Sequence, residues 1–191
     1  MTDFTAHFQS LYRQNPDPWN YAESTYERQK YDATCAVLRS AQYKSGIEIG
    51  CSIGVLSVRL AARCDRFVAV DLADKAVRQA AERLSTTSGA SAMVANIPEE
   101  WPAGRFDLIV LSEVIYYLTT AQITTLARRI SESCLPRAEC VLVNWLGHTD
   151  TAFTGIGARV AFCNAVHRLC NVREIRHAGT ADYDHVTLVL A

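Results

Sequence analysis

The chain has 191 residues, 49% of them hydrophobic, which is enough to bury one sizeable core, and no Pro-, Gly- or Ser-rich linker divides it. Nineteen Lys and Arg residues against twenty Asp and Glu residues give a formal charge of −1 without a clustered basic stripe. The composition therefore excludes strong electrostatic attraction to nucleic acid and favours a small or uncharged substrate. We expect a single domain over residues 1–191, with a helical cap over residues 1–40 and a core over residues 41–191.

The sequence signals neither export nor membrane insertion. Met1–Ser10 lacks a basic region followed by an apolar one, and no apolar run approaches membrane-spanning length, so we expect a cytoplasmic protein without a membrane partner. The seven cysteines are odd in number, widely spaced and without a C-x-x-C pair. This pattern predicts neither a disulfide framework nor a metal site, and most of the cysteines are expected to be small buried hydrophobic residues. The oligomeric state stays open.

The first predicted element is an aromatic-rich segment, Asp17–Tyr31, that precedes the core. Pro16 and Pro18 would break any helix that runs in from residue 4. The Trp and Tyr side chains of this segment are typical of a helix that folds over a ligand and excludes water, so we expect a lid. A helix docked on the core without a gating role would have the same sequence, and both alternatives stay open.

A short strand and a glycine-containing turn come next. Ile47–Ile49 ends an apolar run, Val55–Arg63 has helical character, and Gly50–Gly54 lies between them. Glycine at this place lets the backbone approach a ligand closely. The alternative is that Gly50 and Gly54 only form a tight turn from strand to helix in a protein without a ligand there.

A second predicted strand ends in a carboxylate. The apolar run Phe67–Val70 precedes Asp71, and a parallel strand there would deliver the carboxylate to the ribose of an adenosine-type ligand. A dinucleotide fingerprint starting at Gly50 would need glycine at the positions of Ser52 and Val55 to admit a pyrophosphate. The pattern therefore favours a ligand without phosphate groups, and suggests S-adenosylmethionine. Asp71 could instead cap the following helix, and one residue can do both.

Strands alternate with helices along the rest of the chain, which is the pattern of a parallel sheet covered on both faces. The predicted helices cover Ala73–Leu84, the segment from Ile123 to Cys134 that Pro136 ends, and Gly157–Cys170. The predicted strands cover Ser91–Ala95, Phe106–Leu111, Cys140–Leu146, Val172–His177 and Val186–Leu190. The last two strands could be antiparallel in part.

Four stretches resemble the class I S-adenosylmethionine-dependent methyltransferases. They are Glu48–Gly54, Val70–Asp71, Asn96–Pro102 and Phe106–Leu118. Within that superfamily the chain resembles the nodulation protein S group, whose Asp-Pro-Trp and aromatic-Glu-Arg elements are matched by Asp17-Pro18-Trp19 and Tyr26-Glu27-Arg28. The resemblance covers roughly residues 15 to 147, and the order of several motifs makes it specific for the superfamily.

The resemblance implies an α/β, doubly wound, Rossmann-like sheet of seven mostly parallel strands with an N-terminal helical lid. The cofactor would lie across the carboxyl ends of the first strands. Carried over by position, the cofactor-binding residues would be Glu48, Gly50, Ser52 and Gly54 at the methionine half, Asp71 and Leu72 at the ribose, Asn96 and Ile97 at the adenine, and Ser112 at the floor. Asn96 departs from many relatives, which have Asp there. Its side-chain oxygen can still accept from the adenine amino group, and its alternative role is a turn residue before Pro98.

Aromatic side chains are candidates to wall the site, because the sulfonium of the cofactor is a cation. Trp19 and Tyr26 are assigned to the cofactor. Tyr116 and Tyr117 are expected to point to opposite sides, so that one of them, Tyr117, reaches the acceptor side of the cleft. Each of these aromatics could equally be core or lid packing.

Two titratable residues follow strand ends on the acceptor side. Glu113 follows the strand Phe106–Leu111 and Ser112. Open α/β sheets place functional residues at the carboxyl ends of their strands, so Glu113 could orient an attacking amine or accept its proton. His148 lies in the loop after the fifth strand. Together with Tyr117 they are the candidate catalytic residues. Glu113 could instead begin a short helix, and His148 could be a solvated loop histidine.

The resemblance implies methyl transfer from S-adenosylmethionine, with S-adenosylhomocysteine as product, to a small-molecule or saccharide acceptor. N-methylation of an amine is the first candidate, because the group resembled methylates a sugar amino group of a chito-oligosaccharide. The sulfonium already activates the methyl group, so aligning the nucleophile supplies most of the acceleration. The alternatives are an O-methyltransferase and a non-catalytic S-adenosylmethionine-binding subunit or sensor.

Overall fold

A computed structural model describes residues 4–191 of the chain, so the first three residues of Met1–Ser10 and of the expected cap lie outside the described residues. The helices α1 to α6 cover Phe4–Gln14, Thr25–Val37, Val55–Ala61, Asp74–Leu84, Thr120–Ser133 and Gly155–Leu169. The strands β1 to β7 cover Tyr43–Ile49, Cys64–Asp71, Ala90–Val94, Phe106–Ser112, Cys134–Trp145, Val172–Gly179 and Tyr183–Leu190.

The seven strands form one sheet in the order β3-β2-β1-β4-β5-β7-β6. Strands β1 to β5 are parallel to one another, and β7 is antiparallel to both β5 and β6. The predicted doubly wound sheet of seven mostly parallel strands is therefore confirmed. The strand order reverses between β1 and β4, and open α/β sheets bind ligands in the crevice at such a reversal, outside the carboxyl ends of the strands.

Strand β4 shows why the sequence of the sheet reads as continuous apolar runs. Its side chains alternate between the two faces, and both faces are buried. Ile109 and Leu111 pack in a cluster with residues of α5 and α6, whereas Leu108 and Val110 pack in another with residues of α2, α3 and α4. Each fully buried side chain of this size contributes roughly 1.5–3 kcal/mol relative to an exposed one.

The N-terminal segment contains two helices rather than the single helix predicted over Asp17–Tyr31. Helix α1 ends before Pro16, as predicted, and the Ser24 side chain caps α2 by accepting a hydrogen bond from the Glu27 amide. The Asp17 carboxylate fixes the turn between the helices, because it accepts hydrogen bonds from the amides at positions 21 and 22 at 2.8 and 2.9 Å. Side-chain capping of this kind is why the helix begins eight residues later than predicted.

Helix α5 ends before Pro136 and within one residue of the predicted end at Cys134. The helix ends at Ser133, and Pro136 lies inside β5. Between the pairs Phe106–Cys134 and Leu108–Glu139 the register of β4 and β5 shifts, so the proline lies in an irregular stretch of the strand. Such a stretch tolerates a residue that cannot donate a backbone hydrogen bond.

No helix within residues 4–191 is long and apolar enough to cross a membrane. In the same range, no group of three His, Cys, Asp or Glu residues could hold a metal ion. All seven cysteines are free thiols. Three are buried and the other four are partly buried, so the expectation that most of them are fully buried is wrong by a small margin.

Candidate active site

A cavity lies at the reversal between β1 and β4. Five of the residues predicted from the sequence line it, four as cofactor-binding residues and one as a catalytic candidate. The full lining is Tyr21, Tyr31, Glu48, Gly50, Cys51, Ser52, Leu56, Ser112 and Glu113. The structure therefore brings the ends of β1 and β4 together with the N-terminal segment around one space.

Gly50 is where the loop after β1 has no room for a side chain. Its φ is +84°, and a Cβ built on it would lie 2.2 Å from Val114 Cγ1 and 2.5 Å from the Ser112 carbonyl oxygen. The amides of Gly50 and Cys51 both donate to the Val70 carbonyl, at 2.8 and 3.0 Å, which holds the loop against β2. Only glycine fits this conformation and this space.

Gly54 lies where the start of α3 meets α4. Its φ is +83°, and a Cβ there would lie 2.7 Å from the Ala80 Cα on helix α4. The missing side chain lets the start of α3 pack against α4, which is the packing role of a third glycine in related nucleotide-binding turns. Gly54 is also absent from the residues that line the cavity.

Asp71 joins the loop after β1 to the start of α4. Its Oδ2 accepts from the Ser52 amide at 2.9 Å, and its Oδ1 accepts from the Ala73 amide at 3.0 Å. Burial raises the pKa of Asp71, and these backbone hydrogen bonds oppose the shift. Each carboxylate oxygen has a second lone pair, so the capping role and a ribose contact are compatible.

Helix α1 lies against the loop and the end of β2. The Tyr12 hydroxyl shares a hydrogen bond with the Ser52 hydroxyl, and Gln9 Nε2 donates to the Leu72 carbonyl at 2.9 Å. Ser52 itself has a left-handed φ of +49°. Two predicted cofactor residues, Ser52 and Leu72, thus contact the N-terminal cap. Tyr12 was not predicted as a site residue, because its partner Ser52 is 40 residues away.

Trp19 packs in an aromatic group outside the cavity. Its ring centroid lies 6.2 Å from Phe8, 5.9 Å from Tyr12 and 5.5 Å from Tyr21, and 41% of the residue is exposed. Tyr21 is the member of this group that lines the cavity. The aromatic-rich segment therefore faces the site through Tyr21, while Trp19 contributes packing behind it.

Glu48 is the most deeply buried acid of the site, with 1% of the residue exposed. The Ser57 hydroxyl donates to its Oε2 at 2.5 Å, whereas no described residue gives a hydrogen bond to its buried Oε1. Burial is the main cause that raises the pKa of Glu48 to about 8. A buried acceptor without a partner is costly, so this oxygen calls for a donor from a ligand or water.

Asn96 and Ile97 lie further from the cavity than the other predicted cofactor residues, and neither lines it. Asn96 is exposed, and its amide donates to Glu100 Oε2 at 2.7 Å. Ile97 is buried in the cluster that includes residues of α5 and α6. Both residues follow β3, whose last residue Val94 pairs with Asp71. This places them next to the Asp71 end of the crevice.

Glu113 leaves the end of β4 in a conformation that is unusual for its residue type. Its φ is +54°, its amide donates to the Val143 carbonyl at 2.9 Å, and its Oε2 accepts from Lys30 Nζ at 2.9 Å. Burial raises the pKa of Glu113, and the Lys30 charge opposes the shift. Left-handed backbone in a non-glycine residue is costly and clusters at functional sites.

Lys30 on α2 is a site residue that the sequence analysis missed. Only 3% of it is exposed, and its Nζ lies 3.0 Å from Glu27 and 5.3 Å from the centre of the Tyr26 ring. Its partner Glu113 is 83 residues away, so no sequence pattern pairs them. The available signal was local: Glu27 precedes Lys30 by three residues, which places both on one helical face.

Tyr26 does not line the cavity and packs against two other aromatic side chains. Its ring centroid lies 6.3 Å from Trp145 and 5.9 Å from Tyr183, at the ends of β5 and β7. Its hydroxyl is buried, and no described residue gives it a hydrogen bond. An unpaired hydroxyl among aromatic rings can serve a polar group of an acceptor.

Tyr116 and Tyr117 do not point to opposite sides, so that prediction is wrong. Their ring centroids are 4.7 Å apart. The pair lies in a 3-10 turn, Ile115–Tyr117, in which successive side chains are separated by about 120° rather than by the 180° of a strand. Tyr116 is buried in the core, and Tyr117 contacts Phe4 and Phe8 of α1 at 5.1 and 5.0 Å.

His148 is outside the cavity in the loop before α6. Its side chain is 88% exposed, and Asp150 Oδ1 lies 3.8 Å from its Nδ1. The buried imidazole of the molecule is His185 on β7, whose Nε2 is 2.8 Å from the Thr34 hydroxyl of α2. Burial lowers the pKa of His185 to about 4, so this histidine is neutral at pH 7.

A second buried polar group lies where β5 and β7 meet α6. Asn144 Nδ2 donates to Asp184 Oδ1 at 3.0 Å, and Arg159 pairs with the other Asp184 oxygen. The Asn144 Oδ1 is buried without a hydrogen bond from a described residue. Asn144 does not line the cavity at the β1–β4 reversal.

Comparison with known proteins gives consistent results. The family model of nodulation protein S (NodS) matches residues 8–151. Nodulation protein S of Sinorhizobium fredii is 27% identical over 127 residues, which are 65% of this chain and 59% of the relative. That of Bradyrhizobium diazoefficiens is 33% identical over 103 residues, 53% of this chain and 49% of the relative. The chain thus spans about half of the length of the curated relatives it matches.

Solved structures agree on the fold. The N-methyltransferase NodS from Bradyrhizobium japonicum, in complex with S-adenosyl-L-homocysteine, is 24% identical with a TM-score of 0.78, over 96% of this chain and 97% of that one. The magnesium protoporphyrin IX methyltransferase from Synechocystis with bound S-adenosylmethionine is 14% identical with a TM-score of 0.71, over 100% and 98%. Since the family model spans most of the sequence, from α1 into the loop after β5, the chain belongs to the nodulation protein S family.

Proposed function

We propose that the protein is an S-adenosylmethionine-dependent methyltransferase that acts on an amine of a small-molecule or saccharide acceptor. The observation that carries the proposal is the cavity at the β1–β4 reversal. There Gly50 leaves no room for a side chain, and the buried Glu48 presents an oxygen without a partner. A ligand with a cationic amino group and no phosphate fits this combination, because the loop lacks the glycines that a pyrophosphate requires.

The residues of the crevice divide along the expected cofactor. Glu48, Gly50, Ser52 and Ser112 would hold the methionine half, Asp71 and Leu72 the ribose, and Asn96 and Ile97 the adenine, with Gly54, Trp19 and Tyr26 shaping the surroundings. When bound, S-adenosylmethionine supplies a methyl group that its sulfonium already activates. The protein must then position the acceptor in line with the methyl group and exclude water.

The names of relatives support this proposal. The structurally similar protein from Bradyrhizobium japonicum is described as an N-methyltransferase and contains S-adenosyl-L-homocysteine. Because the chain spans about half of its curated relatives, the activity is a proposal here: the cavity supports the cofactor, whereas the amine acceptor comes from the resemblance. A formal charge of −1 agrees with an uncharged or small acceptor and with the absence of a nucleic-acid partner.

The acceptor side is assigned to Glu113, Tyr117 and His148. Glu113 is the best placed of them, since it lines the cavity beside Gly50 and Ser112. A neutral amine is the nucleophile, so a carboxylate beside it helps to remove its proton and to direct its lone pair. Tyr117 contacts the cap, and His148 would have to approach from its exposed loop.

Calorimetry with three ligands tests the cofactor. We expect the purified protein to bind S-adenosylmethionine and S-adenosylhomocysteine but not NAD. Tight NAD binding without S-adenosylhomocysteine binding would overturn the proposal. An acceptor screen that measures S-adenosylhomocysteine release then separates the activities. Methylated amines support N-methylation, methylated hydroxyls support an O-methyltransferase, and cofactor binding without any release supports a sensor or subunit.

A further inference from the structure

We infer that Lys30 is a positioning residue that keeps the Glu113 carboxylate ionised and fixed at the acceptor side of the cleft. The inference rests on the proposed function, because Glu113 is the acceptor-side acid of that reaction. Lys30 comes from the cap helix α2 and Glu113 from the end of β4. The ion pair therefore also joins the cap to the catalytic crevice.

The geometry of the pair is close and buried. Lys30 Nζ lies 2.9 Å from Glu113 Oε2 and 3.0 Å from Glu27, and side-chain exposure is 3% for Lys30 and 16% for Glu113. A charge-assisted hydrogen bond in such surroundings is strong and directional. Lys30 donates to Oε2 of Glu113, and no described residue donates a hydrogen bond to Oε1. That oxygen is available to an acceptor.

The charges around Glu113 explain why one ammonium group decides its ionisation. The groups with which Glu113 interacts are one acid and one base of the cap and five tyrosines from three segments of the chain. They are Glu27, Lys30, Tyr26 and Tyr31 on α2, Tyr21 in the turn before it, and Tyr116 and Tyr117 after β4. Lys30 is the cation of this set.

Without Lys30, Glu27 and Glu113 would form a pair of buried like charges. Repulsion between two buried carboxylates disfavours the state in which both are ionised, so at least one takes up a proton. Glu113 has a left-handed backbone, and its side chain reaches Lys30 on α2. Loss of the Lys30 ammonium removes the hydrogen-bond donor that holds the side chain in this position. A protonated or turned Glu113 would neither accept a proton nor align an amine.

Carboxyl NMR titration of Glu113 tests the inference without any acceptor. The protein is labelled with 13C at glutamate side chains, and Glu113→Gln assigns the signal. We expect Lys30→Met to raise the apparent pKa of Glu113 by one unit or more, a tenfold shift in its protonation equilibrium. Lys30→Arg, which keeps the charge, should leave the titration near that of the parent. Lys75→Met makes the same replacement at an exposed site of α4 and should change nothing.

An unchanged Glu113 titration in folded Lys30→Met would overturn the inference. If Lys30→Met does not fold, the Glu113 titration is compared between Glu27→Gln and Glu27→Gln/Lys30→Met, which contain one buried carboxylate fewer. The double variant should again have the higher apparent pKa of Glu113. With an acceptor from the screen, the lower pH limit of turnover should move upward in Lys30→Met, with S-adenosylhomocysteine affinity within a few-fold. If the parent does not bind S-adenosylhomocysteine, the proposed function is wrong, but the NMR test of Lys30 still applies because it needs no ligand.

Discussion

Asp71 performs two structural tasks before any ligand arrives, since its oxygens hold the Ser52 and Ala73 amides. We predict that Asp71→Ala weakens S-adenosylhomocysteine binding by about 1.5–3 kcal/mol through the lost charge-assisted contact. The same change should lower the free energy of unfolding by roughly 1 kcal/mol, because a helix-start hydrogen bond is lost. Titration calorimetry and urea unfolding measure the two effects.

Asp71→Asn is the control, because its amide keeps one acceptor oxygen for the backbone. It should recover much of the stability and little of the affinity. If Asp71→Ala leaves the affinity unchanged, Asp71 has the capping role alone.

Glu48 makes stability depend on pH in the direction opposite to most acids. Its pKa rises from 4.5 to about 8 on folding, so the folded protein binds a proton that the unfolded chain has lost between these values. The free energy of unfolding should therefore fall as pH rises from 4.5 to 8, by up to about 1.4 kcal/mol per unit from this residue.

Glu48→Gln should remove that slope, and urea unfolding at several pH values compares the two proteins. Other titrating groups are common to both, so the difference isolates Glu48. A cationic ligand beside Glu48 expels its proton, so S-adenosylhomocysteine affinity should also rise toward pH 8 in the parent alone. Parallel stability curves for the two proteins would refute the assignment.

Glu113 and His148 should differ in their effects on turnover. We predict that Glu113→Gln and His148→Ala both lower turnover and leave S-adenosylhomocysteine affinity within a few-fold, because neither needs to hold the cofactor. The loss should be larger for Glu113, about 10²-fold or more as for other proton-transfer groups, because His148 is exposed. Steady-state kinetics with an acceptor decides it. Parent rates in both variants would mean that alignment alone carries the reaction.

At the level of elements, helix α1 is the part that should move with the cofactor. It is held over the loop by the Tyr12–Ser52 and Gln9–Leu72 hydrogen bonds. We predict that Tyr12→Phe speeds S-adenosylhomocysteine dissociation up to about tenfold, since one hydrogen bond contributes roughly 0.5–1.5 kcal/mol. Stopped-flow displacement measures the rate. Gln14→Ala, on the exposed end of the same helix, is the control, and equal rates in all three proteins would indicate a docked helix without gating.

The elements that the sequence predicts best are those whose signal is local. Strand β4 reads as apolar because both of its faces are buried, and Gly50 is recognised from the turn that its own positive φ requires between β1 and α3. Asp71 follows from the strand before it. For these residues, a few neighbours in sequence contain the physical cause.

The elements that the sequence predicts poorly depend on distant partners or on irregular backbone. Lys30 and Glu113 are separated by 83 residues, and Thr34 and His185 by 151, so their contacts exist only after the sheet has formed. The start of β5 was predicted six residues too late, at Cys140, because the strand begins in an irregular stretch that accepts Pro136.

At the level of the whole molecule, the cap and core should unfold together, as a single domain requires. Lys30 and Thr34 tie α2 to β4 and β7. Trp19 lies before α2, whereas Trp101 donates to Ser133 at the end of α5. Trp101→Phe/Trp145→Phe keeps Trp19 as a fluorescent probe of the cap, and Trp19→Phe/Trp145→Phe keeps Trp101 as a probe of the core. We predict equal urea midpoints for the two variants. An earlier midpoint for the cap would divide the chain into two units.

The position of β7 inside the sheet has a consequence for synthesis on the ribosome. Strand β6 is made before β7, yet β7 is its one neighbour in the sheet, and β7 also covers the edge of β5. Until Tyr183–Leu190 emerges, β5 keeps an open edge, β6 has nothing to pair with, and Arg159 and Thr34 lack Asp184 and His185. The nascent chain therefore carries an unpaired edge from the completion of β5 until Tyr183–Leu190 emerges, the kind of surface that chaperones protect.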